Sequence, residues 1–129
     1  MSKSVLVVDD YADILYLFKL CLESEGYEVK QASNGKEALA MVQEINPELV
    51  VLDVMMPDTD GLEVTRQIRN QLSLSTMPIL LVSANYEISQ DCAYNNGAND
   101  ILYKPFHLEN FFDKVKNLIK SKSTISFVK

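Results

Sequence analysis

Apolar positions along this chain follow two alternating rhythms. Continuous runs occur at Val5-Leu6-Val7-Val8, Leu49-Val50-Val51-Leu52 and Ile79-Leu80-Leu81-Val82, with a shorter one at Ile101-Leu102-Tyr103. Between them, apolar residues recur three to four positions apart. The runs predict strands and the spaced stretches predict helices. The first strand covers Ser4 to Asp9, and a helix follows from about Asp13 to Glu25, carrying Ile14, Leu17, Phe18, Cys21 and Leu22, with Gly26 as its stop. Glu28 to Ala32 is a short, more polar strand, expected at a sheet edge. Asn34 caps a second helix that ends before Pro47. After the Leu49–Asp53 strand and a loop rich in Pro, Asp and Gly, a third helix is predicted from about Gly61 to Leu72, with Leu62, Val64, Ile68 and Leu72 inward. A weaker fourth helix spans about Ile88 to Asn96. A fifth strand ends at Lys104-Pro105, and a last helix runs from about Leu108 to Lys120.

Strands that are apolar at every position, rather than at alternate ones, are covered on both faces. Five β-α units joined by short loops predict an α/β fold, a doubly wound, five-stranded parallel sheet with right-handed crossovers, for which the common flavodoxin-like strand order 2-1-3-4-5 is adopted. Such sheets bind ligands beyond the carboxyl ends of the strands, where the strand order switches. With this order the switch lies between the first and third strands.

The chemistry of the strand ends changes the picture most. The first strand ends in Asp9-Asp10, the third in Asp53, the fourth in Ser83 and the fifth in Lys104. Carboxylates, a hydroxyl and an ammonium are thereby brought to one rim. Crowded carboxylates repel unless a cation sits among them, and hard oxygen donors suit Mg²⁺ or Mn²⁺ rather than zinc. Asp53 is then a candidate nucleophile that forms an acyl phosphate, with Lys104 and Ser83 placed to hold phosphoryl oxygens. Each residue also has an ordinary structural explanation: Asp9, Asp10 and Asp13 can cap the first helix, Ser83 the fourth, and Lys104 can be a surface lysine. It is the coincidence at four strand ends that favours a site. Pro105 suggests a fixed turn, cis in one version, that aims the lysine.

Composition narrows the rest. At 129 residues the chain is one domain's length. A net charge of −6 disfavours direct nucleic-acid binding. No apolar run is long enough to span a bilayer, and Met1-Ser2-Lys3-Ser4 leads directly into a strand rather than a signal peptide, so a cytoplasmic protein is expected. Cys21 and Cys92 read as buried free thiols; with one histidine, His107, they cannot make a zinc site. Residues 121–129 read as a short tail with a frayed end, the alternative being a strand-like docking segment.

Taken together, Val7-Val8-Asp9-Asp10, Asp53-Val54-Met55-Met56-Pro57 with Asp60-Gly61, Ser83-Ala84, Gly97-Ala98 and Lys104-Pro105-Phe106 resemble the receiver domain of two-component response regulators, of the chemotaxis type. The resemblance covers about residues 4 to 120, within a receiver domain set at 1–120. It implies that Asp53 is the phosphoacceptor, supplied by a phosphohistidine on a sensor histidine kinase or a histidine phosphotransfer protein. It implies Mg²⁺ held by Asp10, Asp9, Asp53 and the backbone carbonyl of Met55, with Ser83 as switch hydroxyl and Lys104 as phosphate-binding lysine. It further implies output to a protein effector through the face built from the fourth helix, fifth strand and fifth helix, and no catalysis beyond the domain's own phosphorylation and dephosphorylation. The chain departs from the family at Ile101, where an aromatic often stands three residues before the lysine; here Tyr103 adjoins the lysine instead. The stretch from Ser83 to Gly97 is one residue short of the usual length. Met55 carries no charge or amide to orient water, so a moderate to long phosphoryl lifetime is expected.

Three other functions are weighed. An aspartyl phosphohydrolase usually carries a second Asp two residues after the nucleophile, where Met55 stands. A flavodoxin-like cofactor binder needs a Ser/Thr/Gly-rich phosphate loop in place of Asp9-Asp10. A receiver-shaped binding module that is never phosphorylated remains the strongest alternative.

Overall fold

The computed structural model describes residues 3–71 and 74–128, with side chains to Lys120. Five strands, β1 (Ser4–Val8), β2 (Glu28–Ala32), β3 (Leu49–Asp53), β4 (Ile79–Ser83) and β5 (Asp100–Tyr103), alternate with five helices, α1 (Ala12–Ser24), α2 (Gly35–Ile45), α3 (Gly61–Arg69), α4 (Gln90–Asn95) and α5 (Leu108–Val128). The strands form one parallel sheet in the order β2-β1-β3-β4-β5. This is the doubly wound architecture that the unbroken apolar runs imply, with the polar strand β2 at an edge.

The two-residue period of the strands splits the core into two layers. Leu6, Val8, Val50, Leu52, Ile79, Leu81 and Ile101 face one side, where Ala38 and Val42 of α2, Val64 and Ile68 of α3 and Ala93 of α4 cover them. Val5, Val7, Leu49, Val51, Leu80, Val82 and Leu102 face the other, under Leu15, Phe18 and Leu22 of α1 and Phe111, Val115 and Ile119 of α5. Each such side chain, fully buried, contributes about 1.5–3 kcal/mol. Among the described residues no helix is long and apolar enough to cross a membrane.

Several local expectations are corrected. In α1 the buried stripe is Leu15, Phe18 and Leu22, while Leu17 is 54% exposed. The helix carries apolar residues on two sides, and only one side can meet the sheet. Cys21 and Cys92 are free but only half-buried. α3 ends at Arg69, before the expected Leu72, whose inward placement falls outside the described residues. α4 begins at Gln90 because Ser89, not Ser83, caps it, accepting from the Cys92 N–H at 3.0 Å. α5 continues to Val128, where an irregular tail is expected after Lys120; no Gly or Pro interrupts that stretch. Asn34 does cap α2, accepting from the Glu37 N–H at 2.8 Å, and Gly26 ends α1 at φ 91°.

Candidate phosphoryl-acceptor site

Sheet register brings the acidic residues together. Val8 of β1 pairs with Leu52 of β3, so the next residue on each strand, Asp9 and Asp53, reaches the same rim. Asp53 pairs with Val82, and Ser83 with Tyr103, which puts Ser83 and Lys104 one step further along. The loop after β3 folds back tightly. The Gly61 N–H donates to the Val54 carbonyl at 2.7 Å, and a Cβ on Gly61 would lie 2.6 Å from the Asp53 carbonyl oxygen. Asp60 caps α3 by accepting from the Glu63 N–H at 2.8 Å.

Asp9 and Asp53 are nearly inaccessible, and Asp10 is half-buried. One carboxylate oxygen from each of the three lies within 4.8 Å of the others. Asp9 Oδ1 accepts from the Tyr11 N–H at 2.9 Å, and Asp53 Oδ1 from the Met55 N–H at 3.5 Å. Asp10 Oδ1 is buried and has no hydrogen-bond partner among the described residues. Lys104 Nζ stands 3.7 Å from Asp9 Oδ2 and 3.9 Å from Asp53 Oδ1. Burial pushes the Asp53 carboxyl up to about 6; the Lys104 charge and the Met55 N–H oppose this, while Asp9 and Asp10 add to it. Burial also raises Asp9, against its bond from Tyr11 and the Lys104 charge.

Such a cluster of hard oxygen donors, partly protonatable and with one oxygen unpartnered, has the chemistry of a site for a small divalent cation. Asp10 Oδ1 is the clearest sign, because a buried carboxylate oxygen without a partner is costly. Ser83 is fully buried, and its Oγ accepts from the Asn85 N–H at 2.9 Å. Beside the carboxylates, a groove of about 550 Å³ is lined by Asp10, Tyr11, Met55, Met56, Leu62 and Ile88, among others. Met55 is 58% exposed at its edge.

All the residues singled out from the sequence, Asp9, Asp10, Asp53, Ser83, Lys104 and Met55, therefore come to one rim. The Lys104–Pro105 peptide is cis. Two supporting residues escape sequence reasoning. Asp58 reaches back from the loop after β3 to accept from the Gly35 and Lys36 N–H groups at the start of α2, at 3.1 and 3.3 Å. Tyr86 donates its hydroxyl to the Lys104 carbonyl at 2.7 Å. Neither stands at a strand end, and a single sequence carries no signal for pairings 18 to 23 residues apart.

Comparison with known proteins identifies the family. A family model for the response regulator receiver domain matches residues 5–116. The transcriptional regulatory protein ResD of Bacillus subtilis (strain 168) is 40% identical over 123 residues, 95% of this chain and 50% of ResD. The alkaline phosphatase synthesis transcriptional regulatory protein PhoP of the same organism is 40% identical over 121 residues, 93% of this chain and 50% of PhoP. The chain spans about half the length of these curated relatives. Among solved structures, the chemotaxis protein CheY4 of Vibrio cholerae is similar with a TM-score of 0.84 at 31% identity, covering 92% of this chain and 99% of that one.

Proposed function

This chain belongs to the response regulator receiver domain family, and on that premise we propose that it is a cytoplasmic, phosphorylation-controlled switch of a two-component system or phosphorelay. Asp53 accepts the phosphoryl group from a phosphohistidine of a sensor histidine kinase or a histidine phosphotransfer protein. One Asp53 carboxylate oxygen attacks phosphorus as the P–N bond breaks. The electron pair goes to the ring nitrogen, and the donor leaves as neutral imidazole, with its other nitrogen carrying the proton. Asp53 must be ionised to attack, and Lys104 favours that form. Lys104 also faces the charge that builds on the phosphoryl oxygens, and the Ser83 hydroxyl, which donates to the Asn85 carbonyl across a long 3.5 Å, can turn to donate to one of them. Mg²⁺, or Mn²⁺ in its place, held by Asp9, Asp10, Asp53 and the Met55 carbonyl, would supply the remaining charge neutralisation.

The domain catalyses only its own phosphorylation and dephosphorylation, and its output is altered protein binding at the α4-β5-α5 face. The observation that carries this reading is the convergence of three carboxylates within 4.8 Å, one with an unpartnered oxygen, opposite a lysine. Intact mass after incubation with a small phosphodonor and Mg²⁺ tests it. A gain of one phosphoryl group in the wild type and none in Asp53→Ala is expected. No gain in a protein shown to bind Mg²⁺, even with a donor kinase, would favour the unphosphorylated binding module.

A further inference from the structure

Lys104 is gripped from the β4-α4 loop by more than its own strand. Its N–H donates to the Ser83 carbonyl at 2.9 Å, the ordinary continuation of the β4-β5 pairing. Its carbonyl accepts from the Tyr86 hydroxyl at 2.7 Å. The residue before it, Tyr103, donates its own hydroxyl back to the Ile88 carbonyl at 2.5 Å, and the Tyr86 and Tyr103 rings pack with centroids 5.4 Å apart. The two phenols therefore cross: one runs from loop to strand and the other from strand to loop. The loop they hold is itself tied to Ser83, whose Oγ accepts from the Asn85 N–H, the residue next to Tyr86. Asn85 Oδ1 in turn accepts from the Glu87 N–H at 3.0 Å. Ser83, Asn85, Tyr86 and Lys104 form a closed circuit that joins the switch hydroxyl to the phosphate-binding lysine. Ile101, buried at 2% exposure in the core with Ala93, has no polar atom with which to report on Ser83.

We propose that Tyr86 and Tyr103 are a clasp that holds the β4-α4 loop in its unphosphorylated arrangement, and that Tyr86 is thereby a positioning residue for Lys104 and Ser83. The proposal rests on the phosphoryl-acceptor reading of the site. Moving Ser83 Oγ toward a phosphoryl oxygen stretches the bond it accepts from the Asn85 N–H. That shift moves the adjacent Tyr86 and opens its bond to Lys104. The clasp is an energetic cost on activation, because its bonds exist in only one of the two forms. Tyr86 is 66% exposed, so water competes for its hydroxyl and the bond's net worth is small. A small, reversible bond suits an equilibrium that phosphorylation must overturn.

The test uses beryllium fluoride, a phosphoryl mimic, with Mg²⁺ and ring-labelled tyrosine. NMR follows Tyr86 and Tyr103, assigned with Tyr86→Phe and Tyr103→Phe. Both resonances should shift together as the mimic binds, while Tyr16, Tyr27 and Tyr94 stay in place. Tyr86→Phe should bind the mimic about fivefold more tightly, the worth of one neutral hydrogen bond removed from the resting form. A purely structural role would lower thermal stability without tightening binding. Unshifted Tyr86 and Tyr103 signals with the mimic bound, or unchanged or weaker affinity in Tyr86→Phe, would overturn the clasp. Failure of the wild type to bind the mimic at all would instead overturn the phosphoryl-acceptor reading on which it depends.

Discussion

Lys104 faces Asp53 across 3.9 Å, an ion pair without a hydrogen bond. The ammonium lowers the cost of ionising a buried carboxylate and leaves room between the two groups. Lys104→Ala should therefore raise the Asp53 carboxyl beyond its present value of about 6, visible as a displaced carboxyl titration by carbon NMR. Phosphoryl uptake from a small donor should fall by about a hundredfold, the usual effect of deleting one charge-stabilising group.

The raised Asp53 value also sets a dependence of stability on pH. A carboxyl whose folded value exceeds its unfolded one binds its proton more tightly in the native state. Its contribution is complete below about 3.8 and is lost as pH rises through about 6. Over that window, without divalent cations, Asp53 alone costs on the order of 3 kcal/mol. Asp9, shifted in the same direction, adds to the loss. Asp53→Asn has no such proton to lose. Urea unfolding with a chelator present should show this variant gaining on the wild type between pH 4 and pH 7.5, and a constant difference across that range would contradict the assignment.

What was legible in the sequence follows from what a strand end can show. Asp9, Asp53, Ser83 and Lys104 each end an apolar run, and parallel register carries all of them to one rim. That the sheet is parallel and covered on both faces followed from the same runs, because only such sheets are apolar at every position; the order 2-1-3-4-5 is not written in them and came from the common architecture of doubly wound sheets. Helix rotation was harder to read. α1 offers Leu17 and Leu20 as well as Leu15, Phe18 and Leu22, and the sheet, not the helix, selects the second set. The Asp58 bonds to α2 and the Tyr86–Tyr103 crossing were invisible, because both depend on where two loops meet in space.

Among the described residues, Asp10 Oδ1 is the buried side-chain oxygen left without a hydrogen-bond partner. Mg²⁺ should raise the melting temperature of the wild type at neutral pH, and chelation should reverse it. Asp10→Asn keeps the size of the side chain and removes its charge. It should weaken Mg²⁺ binding roughly tenfold or more while slightly stabilising the metal-free protein, since it relieves repulsion among the three acids. Calorimetric titration with Mg²⁺ measures the first effect, and thermal unfolding in the presence of a chelator measures the second.

Arg69 closes the far end of the molecule. Its guanidinium donates to the carbonyls of Gly97 at 2.7 Å and Leu74 at 3.1 Å, and to Asn99 Oδ1 at 2.8 Å, tying the end of α3 to the turn before β5. Asn99 Oδ1 also accepts from the Ile79 N–H at 2.9 Å. Arg69→Ala would leave these acceptors partly unsatisfied and should cost about 2–3 kcal/mol in denaturant unfolding, with the midpoint lowered and the slope unchanged. Because the bonds lie away from the carboxylate rim, Mg²⁺ affinity should be unchanged.

Gly61 gives a sharper test of how the loop after β3 supports Asp53. A Cβ at this position would lie 2.6 Å from the Asp53 carbonyl oxygen and 2.8 Å from the Val54 Cα, both backbone atoms that cannot swing away. Gly61→Ala must push the start of α3 off the end of β3, straining the 2.7 Å bond from the Gly61 N–H to the Val54 carbonyl. The two elements then separate where the phosphoacceptor sits, so a loss of stability, about 1–3 kcal/mol for overpacking of this kind, should accompany a loss of Mg²⁺ affinity. Arg69→Ala supplies the control, being of similar cost but remote from the site. If Gly61→Ala loses stability and binds Mg²⁺ as tightly as that control does, then the close contact between Gly61 and Asp53 serves packing alone.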